Sequence, residues 1–257
     1  MNSSDSLRIR EECDGSLLRL TLNRPPANLM DRQMVDAIRG AFEMLLGRTE
    51  LRTVLFDHEG DHFSYGASVK EHRKEEVDRM LPEFHMAFRE MFASGKVLLA
   101  AVHGRCLGGG FELAAFCHRV FAAESACFGN PEIKLGVFAP VASVVLPHRV
   151  RQPVVDDLLL TGRVMPAAAA LQCGVIDEIA TDPTATALAW HQLHLQPLSG
   201  VALQHAVRAS RHRLGRELVT SLANLEDRYL NPLMDTSDAN EGIEAFLQKR
   251  SPTWSHR

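Results

Sequence analysis

Three consecutive glycines, Gly108-Gly109-Gly110, stand a few residues after the apolar run Val97 to Val102 and the dipeptide His103-Gly104. Glycine at such a junction lets the backbone come close to a ligand, and a helix beginning at Gly110 or Phe111 leaves its first N–H groups without intrahelical acceptors. Donors of that kind suit negative charge. The segment lacks the G-x-G-x-x-G spacing and the Gly-Lys-Ser/Thr ending of nucleotide-phosphate loops, so nucleotide phosphate fits it poorly. An oxyanion that forms during a reaction would use the same donors, and a bare strand-to-helix turn would need the same residues. Two carboxylates accompany the glycines. Glu112 falls in the first turn of the expected helix, where the dipole favours it, but its neighbours Phe111, Leu113, Ala114 and Ala115 are apolar. Glu132 follows Pro131 and precedes Ile133, close to the uncharged stretch from Leu135 to Leu146. Brought to one partly buried site, two glutamic acids shift each other's pKa and can divide the roles of acid and base. Whether they meet is not visible in their spacing.

The elements that must position them read as alternating strand and helix. Leu17 to Leu22 is a β-rich run that stops at Asn23-Arg24-Pro25-Pro26. Asp31 is placed to cap a helix with apolar positions Met34, Val35, Ile38, Phe42, Leu45 and Leu46, closed by Gly47. A strand at Val54 to Phe56 and a loop with two glycines to Ala67 follow, and then a charged stretch from Lys70 to Arg79. A helical pattern through Leu81, Phe84, Phe88 and Phe92 ends at Ser94-Gly95. Val97 to Val102 is short and continuously apolar, as in a strand covered on both faces. After the glycines come a helix to Phe116, a strand at Val120 to Ala122 and a turn at Phe128 to Glu132. From about residue 141 the pattern is helical: 154 to 160, 166 to 173, 184 to 195, 201 to 213, 217 to 230 and 237 to 247, with one strand at Val175 to Ile179. The fold class is α/β, with a helical C-terminal region.

Composition narrows the function. Net charge is -4 and only five of the 28 basic residues are lysines, so the basic excess of a nucleic-acid-binding surface is missing. The longest uncharged runs fall short of the roughly 18 to 20 apolar residues of a membrane span. The polar start, Met1 to Arg10, reads as a frayed lead-in without a secretory signal, which points to the cytoplasm. Five cysteines, odd in number and without C-x-x-C spacing, read as buried thiols in a reducing compartment. His191 and His194 share a helix face but have no third ligand, so no metal site is expected.

The segments Val102-His-Gly-Arg-Cys-Leu-Gly-Gly-Gly-Phe-Glu-Leu-Ala114 and Phe128-Gly-Asn-Pro-Glu-Ile-Lys-Leu-Gly136 resemble the signature of the crotonase (enoyl-CoA hydratase/isomerase) superfamily. Leu22 to Pro25, His62 to Glu71, Leu160 to Arg163, Gly174 to Asp177 and Glu241 to Arg250 follow its pattern too, so the resemblance covers nearly the whole chain. It implies a ββα spiral core over residues 1–195 and a C-terminal helical region over 196–257 in the same structural domain. That region would build a homotrimer or a homohexamer, and the apolar stripe of the last helix would be buried against another subunit.

The resemblance also implies roles. The backbone N–H groups of Ala67 and Gly109 would hold a thioester oxygen. Glu112 would activate water, and Glu132 would supply or remove the carbon-bound proton. Arg24, Lys70, Phe246 and Lys249 would contact coenzyme A, which enters only as part of an acyl-CoA thioester substrate, with no prosthetic group. Two departures bear on that substrate: Gly66-Ala67-Ser68 replaces the commoner Gly-Ala-Asp, and Gly136-Val-Phe-Ala-Pro-Val-Ala-Ser143 replaces a glycine-rich run beside the acyl pocket. With Arg24-Pro-Pro-Ala-Asn28 they resemble the cyclic dienoyl-CoA hydratases of anaerobic benzoyl-CoA degradation. The implied reaction adds water to cyclohexa-1,5-diene-1-carbonyl-CoA to give a 6-hydroxycyclohex-1-ene-1-carbonyl thioester. A general short-chain enoyl-CoA hydratase, a ring-opening CoA hydrolase and a non-catalytic RNA-binding member of the superfamily are the alternatives.

Overall fold

The computed structural model describes residues 6–257, so the first five residues of the expected lead-in lie outside the described residues. Residues 7 to 10 are not frayed. They belong to β1 (Leu7–Glu12), which pairs antiparallel with β2 (Leu17–Leu22) in the register Leu7 to Leu22 and Ile9 to Leu20. Arg8, Arg10 and Glu11 point outward. Charge on an edge strand is what a sheet edge tolerates; Leu7 and Ile9 alternate with Arg8 and Arg10, and the consecutive Glu11 and Glu12 break the pattern.

Behind the hairpin come α1 (Arg32–Glu43), β3 (Thr53–His58), α2 (Val77–Ser94) and β4 (Val97–Val102), with β2, β3 and β4 parallel. Asp31 does cap α1, accepting the Met34 N–H at 3.0 Å. Gly95 ends α2 in the left-handed conformation at φ 66°, as its position after Ser94 led one to expect. β4 is buried on both faces, and its two sides serve different clusters. Leu98, Ala100 and Val102 join the main core, whereas Val97, Leu99 and Ala101 pack in a second cluster with Ala187 and Val207.

The chain continues through β5 (Arg105–Leu107), α3 (Gly108–Phe116), β6 (Arg119–Ala122) and β7 (Cys127–Gly129). Then come α4 (Pro140–Val145), α5 (Gln152–Thr161), β8 (Met165–Pro166), α6 (Ala167–Cys173) and β9 (Glu178–Ile179). The helices α7 (Pro183–His194), α8 (Gly200–Ser210), α9 (His212–Arg228) and α10 (Ser237–Leu247) complete it. The large sheet has the order β1-β2-β3-β4-β6-β9, and a small one the order β5-β7-β8. Phe128 and Gly129, expected in a turn, are therefore strand residues paired with β5. Of the expected strand 175 to 179 only the last two residues pair. The break between α8 and α9 falls at Arg211, earlier than the apolar spacing suggested.

Leu214, Leu218 and Leu222 of α9 and Ile243 of α10 lie in the main core of the same chain. The stripe of the last helix is thus largely covered from within, and Phe246 is the member left exposed, at 55%. His191 is a core residue: its two ring nitrogens pair with Ser16 Oγ and Thr53 Oγ1, both at 2.8 Å, and burial lowers its pKa to about 4. Among the described residues no cluster of His, Cys, Asp or Glu could hold a metal ion, the five thiols are free, and no helix is long and apolar enough to cross a membrane.

Candidate active site

The site forms where the loop of residues 62–68 runs beside β5. Ser64 N–H donates to Arg105 O at 3.0 Å, and Leu107 N–H donates back to Ser64 O at 2.9 Å. On the loop's other side the Met30 N–H donates to Gly66 O at 2.9 Å. Held from both sides, the loop turns at Gly66, whose φ of +103° is open to glycine and nearly closed to L side chains. Ala67 is thereby brought against the start of α3: a Cβ on Gly109 would stand 3.3 Å from the Ala67 nitrogen.

The helix α3 begins at Gly108, two to three residues earlier than the sequence suggests, because its glycines fit under the loop. A Cβ on Gly110 would come within 2.4 Å of Ser64 Cβ. The earlier start has two effects. Gly109 becomes the second residue of a helix whose N-cap, Leu107, offers no side-chain acceptor, so its N–H has no intrahelical partner. Glu112 moves to the second turn, away from the favourable end of the dipole.

Glu112 is buried, at 4% exposure. Its Oε1 accepts the Ala142 N–H at 2.8 Å, in the first turn of α4, which starts at Pro140. Burial holds its carboxyl well above the ordinary carboxylate range, and the charge of Glu132 pushes the same way, against the Ala142 and Val141 N–H groups. Glu132 lies in the short helical turn Pro131–Leu135. Its carboxyl is raised too, by burial first. Oε1 faces Gly108, where a Cβ would lie only 2.9 Å away, and Oε2 is buried without a hydrogen-bond partner in the described protein. The two carboxyls that spacing could not connect therefore share one field.

Gly66, Ala67, Gly108 and Glu132 border a cleft of about 600 Å³ with mostly apolar walls. Of the four residues expected near coenzyme A, Lys70 and Phe246 line it. Arg24 and Lys249 are not among its lining residues: the Arg24 guanidinium is held by Asp31, and Lys249 is exposed at φ 55°. Lys134 and Arg250 bring cations to the cleft that had not been singled out, the second anchored to Glu241 at 2.5 and 2.7 Å. His72 also lines it and gives its Nδ1 to the Ser68 carbonyl at 2.9 Å. In the departing segment, Ser143 Oγ is spent on Ala139 O at 2.8 Å, within its own helix. What that segment brings to the site is the backbone N–H of Ala142, on Glu112, and the side chain of Val137, on the cleft wall. A mostly apolar cleft with cations among its lining residues, with Ala67 and the raised Glu132 carboxyl on its wall and Gly109 and the raised Glu112 carboxyl next to them, is suited to polarising a carbonyl and moving protons beside it.

Residues 12–257 match the enoyl-CoA hydratase/isomerase family. The chain belongs to that family. It is 47% identical over 99% of its length to the cyclohexa-1,5-dienecarbonyl-CoA hydratase of Thauera aromatica, of which it covers 99%. It is 32% identical to the carnitinyl-CoA dehydratase of Salmonella arizonae, with 98% of each chain covered. An enoyl-CoA hydratase from Mycobacterium avium subsp. paratuberculosis superposes with a TM-score of 0.84 over 97% of this chain and 98% of its own, at 24% identity, and shares the family's fold.

Proposed function

We propose that this protein is an acyl-CoA hydratase that adds water to cyclohexa-1,5-diene-1-carbonyl-CoA. The 47% identity to the Thauera enzyme supports the substrate. The observation that carries the reaction class is the pair of raised carboxyls, buried Glu112 and half-buried Glu132, beside the N–H groups of Ala67 and Gly109. The thioester oxygen accepts from those two donors, which stabilise the negative charge that grows on it as water adds. Glu112, steadied by the Ala142 N–H, takes the proton of the attacking water. Glu132 delivers a proton to ring carbon. Because both carboxyls are raised, the state with one proton between them, one base and one acid, is populated near neutrality.

Polarisation fixes which carbons react. Water oxygen bonds to the β carbon, C2, and the C1=C2 pair moves into an enolate on the thioester oxygen, extended through C6=C5. When that enolate collapses, the C1=C6 double bond forms and C5 takes the proton, giving the 6-hydroxycyclohex-1-ene-1-carbonyl thioester. Addition across C5=C6 alone would leave a carbanion that the thioester cannot delocalise. Run in deuterium oxide, the reaction is expected to place deuterium at C3 of the product in its own numbering; label at C5 would mean that the simple addition operates. The kcat/KM for the cyclic diene is expected to exceed that for crotonyl-CoA by at least about tenfold. Crotonyl-CoA turned over faster by orders of magnitude would overturn the substrate.

Lys70 and Phe246, at the cleft, and Arg24 and Lys249, further off, are the proposed contacts to coenzyme A. The step as written needs no prosthetic group and no metal. The reading extends to a homotrimer or homohexamer in the cytoplasm, which the exposed Phe246 and the five free thiols support. A monomer in sedimentation equilibrium at micromolar concentration would contradict the assembly.

A further inference from the structure

We propose that Tyr229 is a positioning residue of the acyl pocket, its phenolic hydroxyl hydrogen-bonding the oxygen that water leaves on the substrate ring. This rests on the hydratase reading above. Tyr229 opens the π-helical turn Tyr229–Leu233 that follows α9, and its side chain is driven inward to 1% exposure. The ring packs against Phe138 at 5.4 Å and His72 at 6.4 Å between centroids. Phe138 belongs to the segment that departs from the commoner family pattern, and His72 lines the cleft. Through His72 the Tyr229 ring is thus one aromatic contact from the cleft wall.

A buried tyrosine usually gives its hydroxyl a partner, yet the Tyr229 hydroxyl has none in the described protein. The same is true of Glu132 Oε2. Two buried oxygens, one on each residue, thus have hydrogen-bonding capacity that the folded chain does not use. The charges of Glu132 and Glu112 both act on the phenol, adding to burial in pushing its pKa up. It therefore stays protonated through the working pH range, a donor but not a proton shuttle. The oxygen atom that Glu112 activates, first as water and then as the ring hydroxyl, is the acceptor this arrangement fits.

Tyr229→Phe removes the hydroxyl and keeps the ring. The variant is expected to bind 6-hydroxycyclohex-1-ene-1-carbonyl-CoA about five- to tenfold more weakly, the worth of one neutral hydrogen bond. It should bind cyclohex-1-ene-1-carbonyl-CoA, which has no hydroxyl, within about twofold of the parent, because only packing serves that ligand. For the cyclic diene, kcat should fall by a similar factor with KM little changed. Since no protein partner is lost, the melting temperature of the free enzyme should not drop. Equal weakening toward both thioesters, no weakening toward either, or a melting temperature lower by several degrees overturns the assignment. A parent enzyme that does not hydrate the cyclic diene overturns the substrate reading itself, whereas a parent that does and a variant that loses nothing overturn Tyr229 alone.

Discussion

Replacing Glu112 by Gln is expected to lower kcat for the cyclic dienoyl thioester by about 10²- to 10⁴-fold, with KM changed little. The amide keeps the size of the side chain and can still accept the Ala142 N–H, so the loss isolates the proton transfer. Stability should move the other way, and its sign follows from the raised pKa. Folded Glu112 holds its proton more tightly than in the unfolded chain, where 4.5 is the ordinary value. Its contribution to stability is therefore complete below that value and is lost as pH rises through the folded pKa, since a charge must then be buried. The Gln variant escapes this loss. Its melting temperature relative to the parent should rise between about pH 5 and pH 9, as followed by circular dichroism. For the parent, the acid limb of the pH profile of kcat should lie well above the ordinary carboxylate range. A Glu112→Gln enzyme with full activity would remove Glu112 from the chemistry.

That prediction combines a residue visible in the sequence with a setting that was not. The glycine triplet and both glutamates were legible because residue type alone limits what they can do: three glycines tolerate close backbone approach, and carboxyls among apolar neighbours imply a perturbed site. β4 was legible through its unbroken apolar run, and Asp31 and Gly95 through the chemistry of helix ends. What could not be read depends on backbone atoms and on distance along the chain. Glu112 is held by the N–H of Ala142, 30 residues away, and an amide leaves no trace in residue type. Tyr229 looks like the end of an amphipathic helix, and only the turn after α9 carries its ring to Phe138. The consecutive charges Glu11 and Glu12 cut short the alternation of β1. Arg24 shows the converse case, because residue type does not tell that a cation in a suggestive motif also has a neighbour to pair with, here Asp31.

Gly66→Ala tests the backbone half of the site, where no side chain can be removed. At φ +103° an L residue is strained by about 1–2 kcal/mol, and the new methyl would lie 3.1 Å from Leu107 O and 3.4 Å from Gly109 N. Those contacts are tight on the side where the loop meets α3, so relief requires the loop and the helix start to separate by tenths of an ångström. The separation changes the spacing between the Ala67 and Gly109 donors, which must both reach one oxygen. Loss of one such donor costs about 10²- to 10³-fold in kcat, and a fall of about 10²-fold is expected here. A spectroscopic readout distinguishes this from general loosening. Bound between two good donors, the thioester carbonyl of a conjugated ligand is polarised and its stretching frequency drops. In Gly66→Ala the frequency should return toward its value in water while binding of the coenzyme A moiety is retained. An unshifted frequency together with wild-type kcat would mean that Ala67 and Gly109 do not hold the thioester oxygen.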